Sequence, residues 1–103
     1  ILDTVRHIPI DSILYFEAVG RRHTLRLHLD QELLEFNDSL SHFEEKLGDI
    51  FWRCHRGYLV NRERIRTVRL KEQVVEMDNG EICLLSRKAK SEYQVWRNRE
   101  TEA

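Results

Sequence analysis

The stretch QVVEMDNGEICLL, Gln73–Leu85, decides the fold class. On both sides of Asn79-Gly80 it is rich in alternating apolar residues, and Asn-Gly takes up the positive φ angles of a two-residue hairpin turn at little steric cost. The segment is predicted to be two antiparallel strands joined at Asn79-Gly80. Upstream, HTLRLHLD (23–30) puts Leu25, Leu27 and Leu29 on one face and Thr24, Arg26 and His28 on the other, which is the period of a half-buried strand. DSILYFEAV (11–19) and IRTVRLK (65–71) are similarly rich in β-branched and aromatic residues, and Leu29-Asp30-Gln31-Glu32 is expected to turn a second hairpin into ELLEF.

Two segments have helical spacing instead. NDSLSHFEEKLG (37–48) aligns Leu40, Phe43 and Leu47, offers Asp38 or Ser39 as N-cap, and ends at Gly48, a residue suited to the positive φ of a helix C-terminus. RKAKSEYQVWRN (87–98) aligns Ala89, Tyr93 and Trp96, with Ser86 before it as N-cap. The expected architecture is mainly β and antiparallel, with seven or eight short strands and two small helices. No internal repeat, low-complexity tract or Gly-rich phosphate loop interrupts it.

Residues 1–103, 41% apolar and 34% charged, fit one domain with a modest core. No run of about 18 apolar residues could span a membrane, and the start ILDTVRHIPI lacks the order of a signal peptide. Two cysteines suit a reducing compartment better than a disulfide scaffold. The chain is therefore read as soluble and cytoplasmic, and its abrupt start as that of a domain from a longer protein.

The net charge of −1 hides an asymmetry. Residues 1–50 hold five Lys or Arg against ten Asp or Glu; the remainder holds twelve against eight. Within the second half, Phe51–Lys71 carries seven basic residues and one acid, and SRKAK (86–90) adds three with no acid. A third concentration, GRRHTLR, occupies 20–26. Each cluster falls at a strand end or loop: Arg21, Arg22 and His23 between two strands, Arg53, His55 and Arg56 just before Gly57, and Arg87, Lys88 and Lys90 at the start of the last helix. Loops on a rigid β scaffold are where binding groups tend to sit, and clusters of one sign attract phosphate whatever the total charge. The competing reading is that a chain so rich in charge produces solvated clusters of no function.

Catalytic and metal readings fail on geometry. Cys54 and His55 are adjacent, so a strand sends them to opposite faces and they cannot act together as nucleophile and base. His23 and His28 are separated by an odd spacing, and Cys54 and Cys83 belong to no C-x-x-C element. No enzyme, metal or cofactor is expected.

DSILYFEA, a basic loop, FWRCHRGYLVN, RI four residues on, a hairpin and LLSR together resemble the LytTR (LytR/AlgR-type) DNA-binding domain, over about residues 8–98. The resemblance implies an elongated arrangement of antiparallel β-sheets with little helix, serving as the output module of a cytoplasmic response regulator. The Phe-x-Arg-Cys-His form is similar to the branch that serves quorum-sensing circuits. By position, it implies that the loop carrying Arg21, Arg22 and His23 enters a major groove, with His23 reading bases. Arg87 reads bases in a neighbouring major groove while Lys88 and Lys90 hold the backbone, and Arg56 reaches the intervening minor groove, where an arginine suits narrow A·T-rich sequence. This chain departs from the usual HRSYIVN in having Gly57 for Ser, which removes a hydroxyl able to bond phosphate. Asn61, Tyr15 and Tyr58 match the pattern as structural residues.

The expected function is thus sequence-specific binding of double-stranded DNA by a transcription factor, an activator, on tandem promoter repeats. It would act as a dimer on DNA with a receiver domain in the full-length chain, and not on membranes. The alternative is a protein-interaction module whose basic loops dock an acidic partner. RNA binding would want exposed stacking aromatics, whereas Trp52 and Trp96 fit core patterns. Cys54 and Cys83 each lie a few residues from a DNA-contacting loop. Two readings follow for them: small core hydrophobes, or a redox pair whose disulfide shifts Arg56 and Arg87, with Arg53 and Arg56 favouring the thiolate if close.

Overall fold

β1 (Ile13–Val19) is the strand on which the molecule is assembled. Four successive residues, Ile13, Leu14, Tyr15 and Phe16, are buried, a pattern that a strand adopts when both of its faces are covered. The computed structural model describes residues 6–20 and 23–102. In it β1 lies at the centre of a five-stranded antiparallel sheet of order β3-β2-β1-β5-β4. The other strands are β2 (Thr24–Leu29), β3 (Leu33–Asn37), β4 (Phe51–His55) and β5 (Tyr58–Asn61). A second sheet, β6-β7-β8, comprises Ile65–Arg69, Val74–Met77 and Ile82–Leu84.

Because successive side chains of a strand point to opposite faces, the central sheet carries two cores. Phe16, Phe51 and Leu59 join Leu25, Leu27 and Leu29 on the face covered by α1 (Leu40–Leu47). Tyr15, Trp52 and Val60 join the other, where Val75, Met77 and Cys83 of the second sheet and Ala89 of α2 (Arg87–Glu102) close over them. The result is elongated, 50 × 27 × 25 Å, and mainly antiparallel β with two helices, as the sequence led us to expect.

The helix ends follow their local chemistry. Ser39 Oγ accepts from His42 N–H (3.2 Å), and Ser86 Oγ accepts from Ala89 N–H (3.1 Å). Gly48 has the positive φ expected, 62°, but its ψ of −142° lies outside the left-handed helical well and leads into a 3-10 turn over Gly48–Ile50. α2 extends through Glu102, four residues beyond the segment whose spacing predicted it.

The hairpin that decided the fold class exists, with its turn corrected. Met77 N–H donates to Glu81 O (2.8 Å) and Gly80 N–H to Met77 O (2.9 Å), so the loop is three residues, Asp78, Asn79 and Gly80. Gly80 at φ 93° supplies the positive angle that follows the tight turn and forms a glycine bulge. A two-residue turn would have shifted the register by one, pairing Cys83 with Glu76 instead of Val75 and turning it to the face away from Val75 and Met77.

Two polar side chains bind these layers together. Arg64 donates to Asp30 in the β2–β3 turn (2.5 Å), to Asp78 in the β7–β8 loop (2.6 Å) and to Asp11 O (2.9 Å), so one guanidinium joins both sheets. Asn61 is 1% exposed; its Nδ2 donates to Ile13 O (2.9 Å) and Ile10 O (3.2 Å), and its Oδ1 accepts from Glu63 N–H (3.0 Å). That amide fixes the start of β1 against the end of β5. Asn61→Ala would leave the Ile13 carbonyl buried and unpaired, and it should lower unfolding stability by about 2–3 kcal/mol. Urea denaturation should show a lower midpoint at unchanged slope; a midpoint equal to wild type would mean that the chain satisfies those carbonyls another way.

Candidate nucleic-acid interface

The β4–β5 turn is built on a bulge. Trp52 pairs with Val60 and His55 with Tyr58, so Arg53 and Cys54 stand together opposite Leu59. Cys54 faces the core, and its carbonyl accepts from Ser86 N–H at 2.8 Å, which fastens the start of α2 to β4. Arg53 folds back along the other face. Its Nε donates to His55 O (3.2 Å), its Nη2 to Arg56 O (2.7 Å) and its Nη1 to Glu44 of α1 (3.0 Å). His55 Nδ1 accepts from Gly57 N–H at 3.0 Å, which puts the ring proton on Nε2, and Gly57 O accepts from Ala18 N–H at 2.9 Å. These bonds hold the turn while the Arg56 side chain stays exposed.

The β1–β2 loop is held differently. Gly20 and His23 both have positive φ, 69° and 52°, the latter uncommon for a residue with a Cβ. His23 O accepts from Asp38 N–H at 2.7 Å, which ties the loop to the start of α1 and leaves the imidazole exposed. The Asp38 carboxyl is held below its ordinary range by the Ser39 N–H and by His42. Arg21 and Arg22 lie outside the described residues.

These segments share one face. A depression of about 420 Å3 runs between Arg53, His55 and Arg56 on one side and Ser86, Lys88 and Ala89 on the other. A second, about 290 Å3, is lined by Gly20, His23, Asp38, Ser39 and, again, Arg53 and Arg56. Arg56 therefore stands between His23 and the start of α2. Lys88 lines the first depression and Arg87 does not; one residue is about 100° of helix. Arg87 is exposed beside that face and Lys90 is half-buried. Two acids, Glu44 and Glu92, also line the first depression.

The dense basic run of Phe51–Lys71 does not form a single surface. Arg64 is built into the fold, Arg66 and Arg69 pair with Glu76 across β6 and β7, and Arg62 lies over Trp96. Arg53, grouped by sequence with the loop cluster, is a clamp on the turn. No local sequence signal marks this role, because the bulge between Trp52 and His55 breaks the strand's alternation and sends Arg53 toward α1.

Cys54 and Cys83 are free, fully buried and in one core cluster. Burial pushes the Cys54 thiol up to about 12 and the Cys83 thiol further, and Arg53 offsets only a lesser part of the shift at Cys54. This direction is opposite to the thiolate that neighbouring arginines would favour. Among the described residues no group of three or more His, Cys, Asp or Glu could hold a metal ion, and no helix is long and apolar enough to cross a membrane.

Comparison with known proteins agrees with a nucleic-acid surface. A family model described as the LytTr DNA-binding domain matches residues 3–96. Accessory gene regulator protein A of Staphylococcus epidermidis is 35% identical, and that of Staphylococcus aureus 36% identical, each over 80 residues. The match covers 78% of this chain and 33% of each relative, so the chain spans about a third of their length or somewhat more. A solved LytTr DNA-binding domain from Bacillus cereus superposes with a TM-score of 0.73 at 26% identity, covering 84% of this chain and 82% of that one. With the model matched over nearly all of its length and the fold shared, the chain belongs to the LytTR family of DNA-binding domains and is a binding module, not an enzyme.

Proposed function

We propose that the chain is the sequence-specific, double-stranded-DNA-binding output domain of a response regulator of the quorum-sensing type. It acts in the cytoplasm as an activator, bound as a dimer to tandem promoter repeats with a receiver domain in the full-length chain. His23, flanked by Arg21 and Arg22, reads one major groove. Arg56 enters the next minor groove, and the start of α2 reaches the following major groove, where Arg87 reads bases and Lys88 and Lys90 hold phosphates. The observation that carries this reading is the position of Arg56 between His23 and Lys88 on one face. The long axis of 50 Å also exceeds one turn of B-DNA, about 34 Å, so one domain is long enough to meet successive grooves.

Fluorescence anisotropy on a duplex obtained by random-site selection tests it. With about six basic groups on phosphates, log K should fall against log salt with a slope near −5; a slope shallower than about −2 overturns the reading. In the same assay Arg87→Ala should cost about 1–3 kcal/mol on the selected duplex and much less on random DNA, whereas Lys90→Ala should weaken both about equally. Equal losses for Arg87→Ala would make it a positioning residue.

Gly57 offers a gain-of-function test. Its N–H is already taken by His55, so the backbone cannot replace the hydroxyl that a serine would bring. A Cβ there would meet His55 Nδ1 at 3.5 Å, an ordinary contact. Gly57→Ser should therefore fold as wild type and bind DNA about fivefold more tightly, the equivalent of about 1 kcal/mol from one added hydrogen bond. Unchanged affinity would place residue 57 away from the phosphates.

A Cys54–Cys83 disulfide as a brake on DNA binding is part of the same proposal. Its support is that Cys54 O holds Ser86, so drawing the two strands together would shift Arg56 relative to Arg87. Both thiols are buried and protonated, so oxidation by hydrogen peroxide should proceed only as fast as the core opens. DNA affinity should fall on oxidation and return on reduction in wild type but not in Cys54→Ser. Unchanged affinity with the bond confirmed by mass spectrometry, or no bond formed, assigns both residues to packing alone.

A further inference from the structure

α2 divides two surfaces of different character. On one flank Lys88, Ala89 and Glu92 face the basic loops. On the other, Tyr93 and Trp96 join Trp52, Ile65 and Val68 around a groove of about 460 Å3 between α2 and β6. Its aromatic rings run in series: Trp52 and Tyr93 are stacked at 5.5 Å, and Tyr93 and Trp96 lie 5.6 Å apart. The run starts in the core, where Trp52 is 8% exposed, and ends in solvent, where Trp96 is 45% exposed.

The groove rim carries a cation that, like Arg56 and Arg87, forms no ion pair among the described residues. Arg6, Arg26, Arg53, Arg64, Arg66 and Arg69 each pair with a carboxylate, but Arg62 has none among the described residues. Its guanidinium lies 5.9 Å from the centre of the Trp96 ring. An arginine in such a cation–π contact can still donate its N–H groups to a carboxylate. Arg66 lines the same groove, while one acid, Glu92, stands where the groove meets the other flank of α2.

We propose that this groove is a docking surface for an acidic amphipathic segment of a partner protein, whose apolar side chains lie on Tyr93 and Trp96 and whose carboxylate bonds Arg62. Charge complementarity selects this occupant. An apolar floor offers nothing to a phosphate backbone, and a basic peptide would face Arg62, which no carboxylate among the described residues neutralises. The partner docks on the flank of α2 opposite the basic loops, so it can bind at the same time as DNA. That last clause alone rests on the function proposed above; the docking itself does not.

The test uses the chain without DNA first, titrated into three fluorescent twelve-residue peptides. One has Phe and Leu at helical spacing among Asp and Glu. The second replaces every acid with Lys, and the third replaces Phe and Leu with Ala. The first should bind at least tenfold more tightly than either control and quench tryptophan fluorescence. Arg62→Ala should weaken it at least fivefold, and Arg62→Glu should shift the preference to the Lys peptide. Trp96→Ala should also abolish quenching, and because Arg62 is exposed on the surface, its variants keep the test sound if Trp96→Ala fails to fold. Equal binding of all three peptides, or no effect of Arg62→Ala, overturns the proposal. So does concentration-dependent dimerisation by sedimentation that Arg62→Glu abolishes, which would make a second copy the occupant. With a DNA duplex added, the labelled peptide should stay bound; its displacement would locate it on the basic loops instead and overturn the assignment to the groove.

Discussion

The hydrogen bond from Ser86 N–H to Cys54 O joins two residues 32 positions apart in the sequence, and the candidate interface depends on it. The bulge makes it possible. With Arg53 and Cys54 sharing one place opposite Leu59, the Cys54 carbonyl serves α2, and the Arg53 guanidinium is re-aimed onto the turn beyond. One irregularity in one strand therefore sets the position of Arg56 and the start of α2 together. A regular β4 would keep the ladder intact and separate these two loops.

Charge in this protein is sorted by use. Arg64 closes the gap between the sheets, Arg66 and Arg69 lace β6 to β7, and Arg53 shapes a turn. Of what is left over, Arg56, Lys88 and His23 collect on one face. This helps a chain of net charge −1 present a basic surface, because several acids of its first half are drawn into ion pairs with arginines away from that surface, such as Asp30 with Arg64, Glu32 with Arg6 and Glu35 with Arg26. Exposed pairs of this kind contribute little to stability individually, but they neutralise acids that would otherwise repel phosphate.

Local order is largely written into local sequence. The alternation of Leu25, Leu27 and Leu29, the stripe of Leu40, Phe43 and Leu47, and the Asn-Gly hairpin each report local physics, and each element forms where its pattern lies. The three-residue turn is not legible in this way, because Asn-Gly serves both loop lengths and only the pairing of Met77 with Glu81 distinguishes them. At the site, the amino-acid pattern locates the three loops but not the function of each residue in them. Arg53 and Arg56 are the same residue type three positions apart, and which of them turns inward depends on where the bulge falls. Nor does a basic run disclose its partners. Asp30 lies far along the chain from the Arg64 it binds, and only the tertiary fold brings them together.

The backbone of His23 restricts which side chains its loop can present. At a φ of 52° the position admits glycine freely and asparagine, aspartate or histidine with modest strain, but it disfavours β-branched and bulky side chains. Of that short set only histidine and asparagine combine a donor and an acceptor on a ring or amide long enough to reach a base edge. The vocabulary available at this loop is thus restricted by the turn that presents it, whereas residues 87 and 88, in regular helix, accept nearly any side chain. On the proposed function, divergence of recognition would accumulate at the helix start, with the loop as the conservative half of the code.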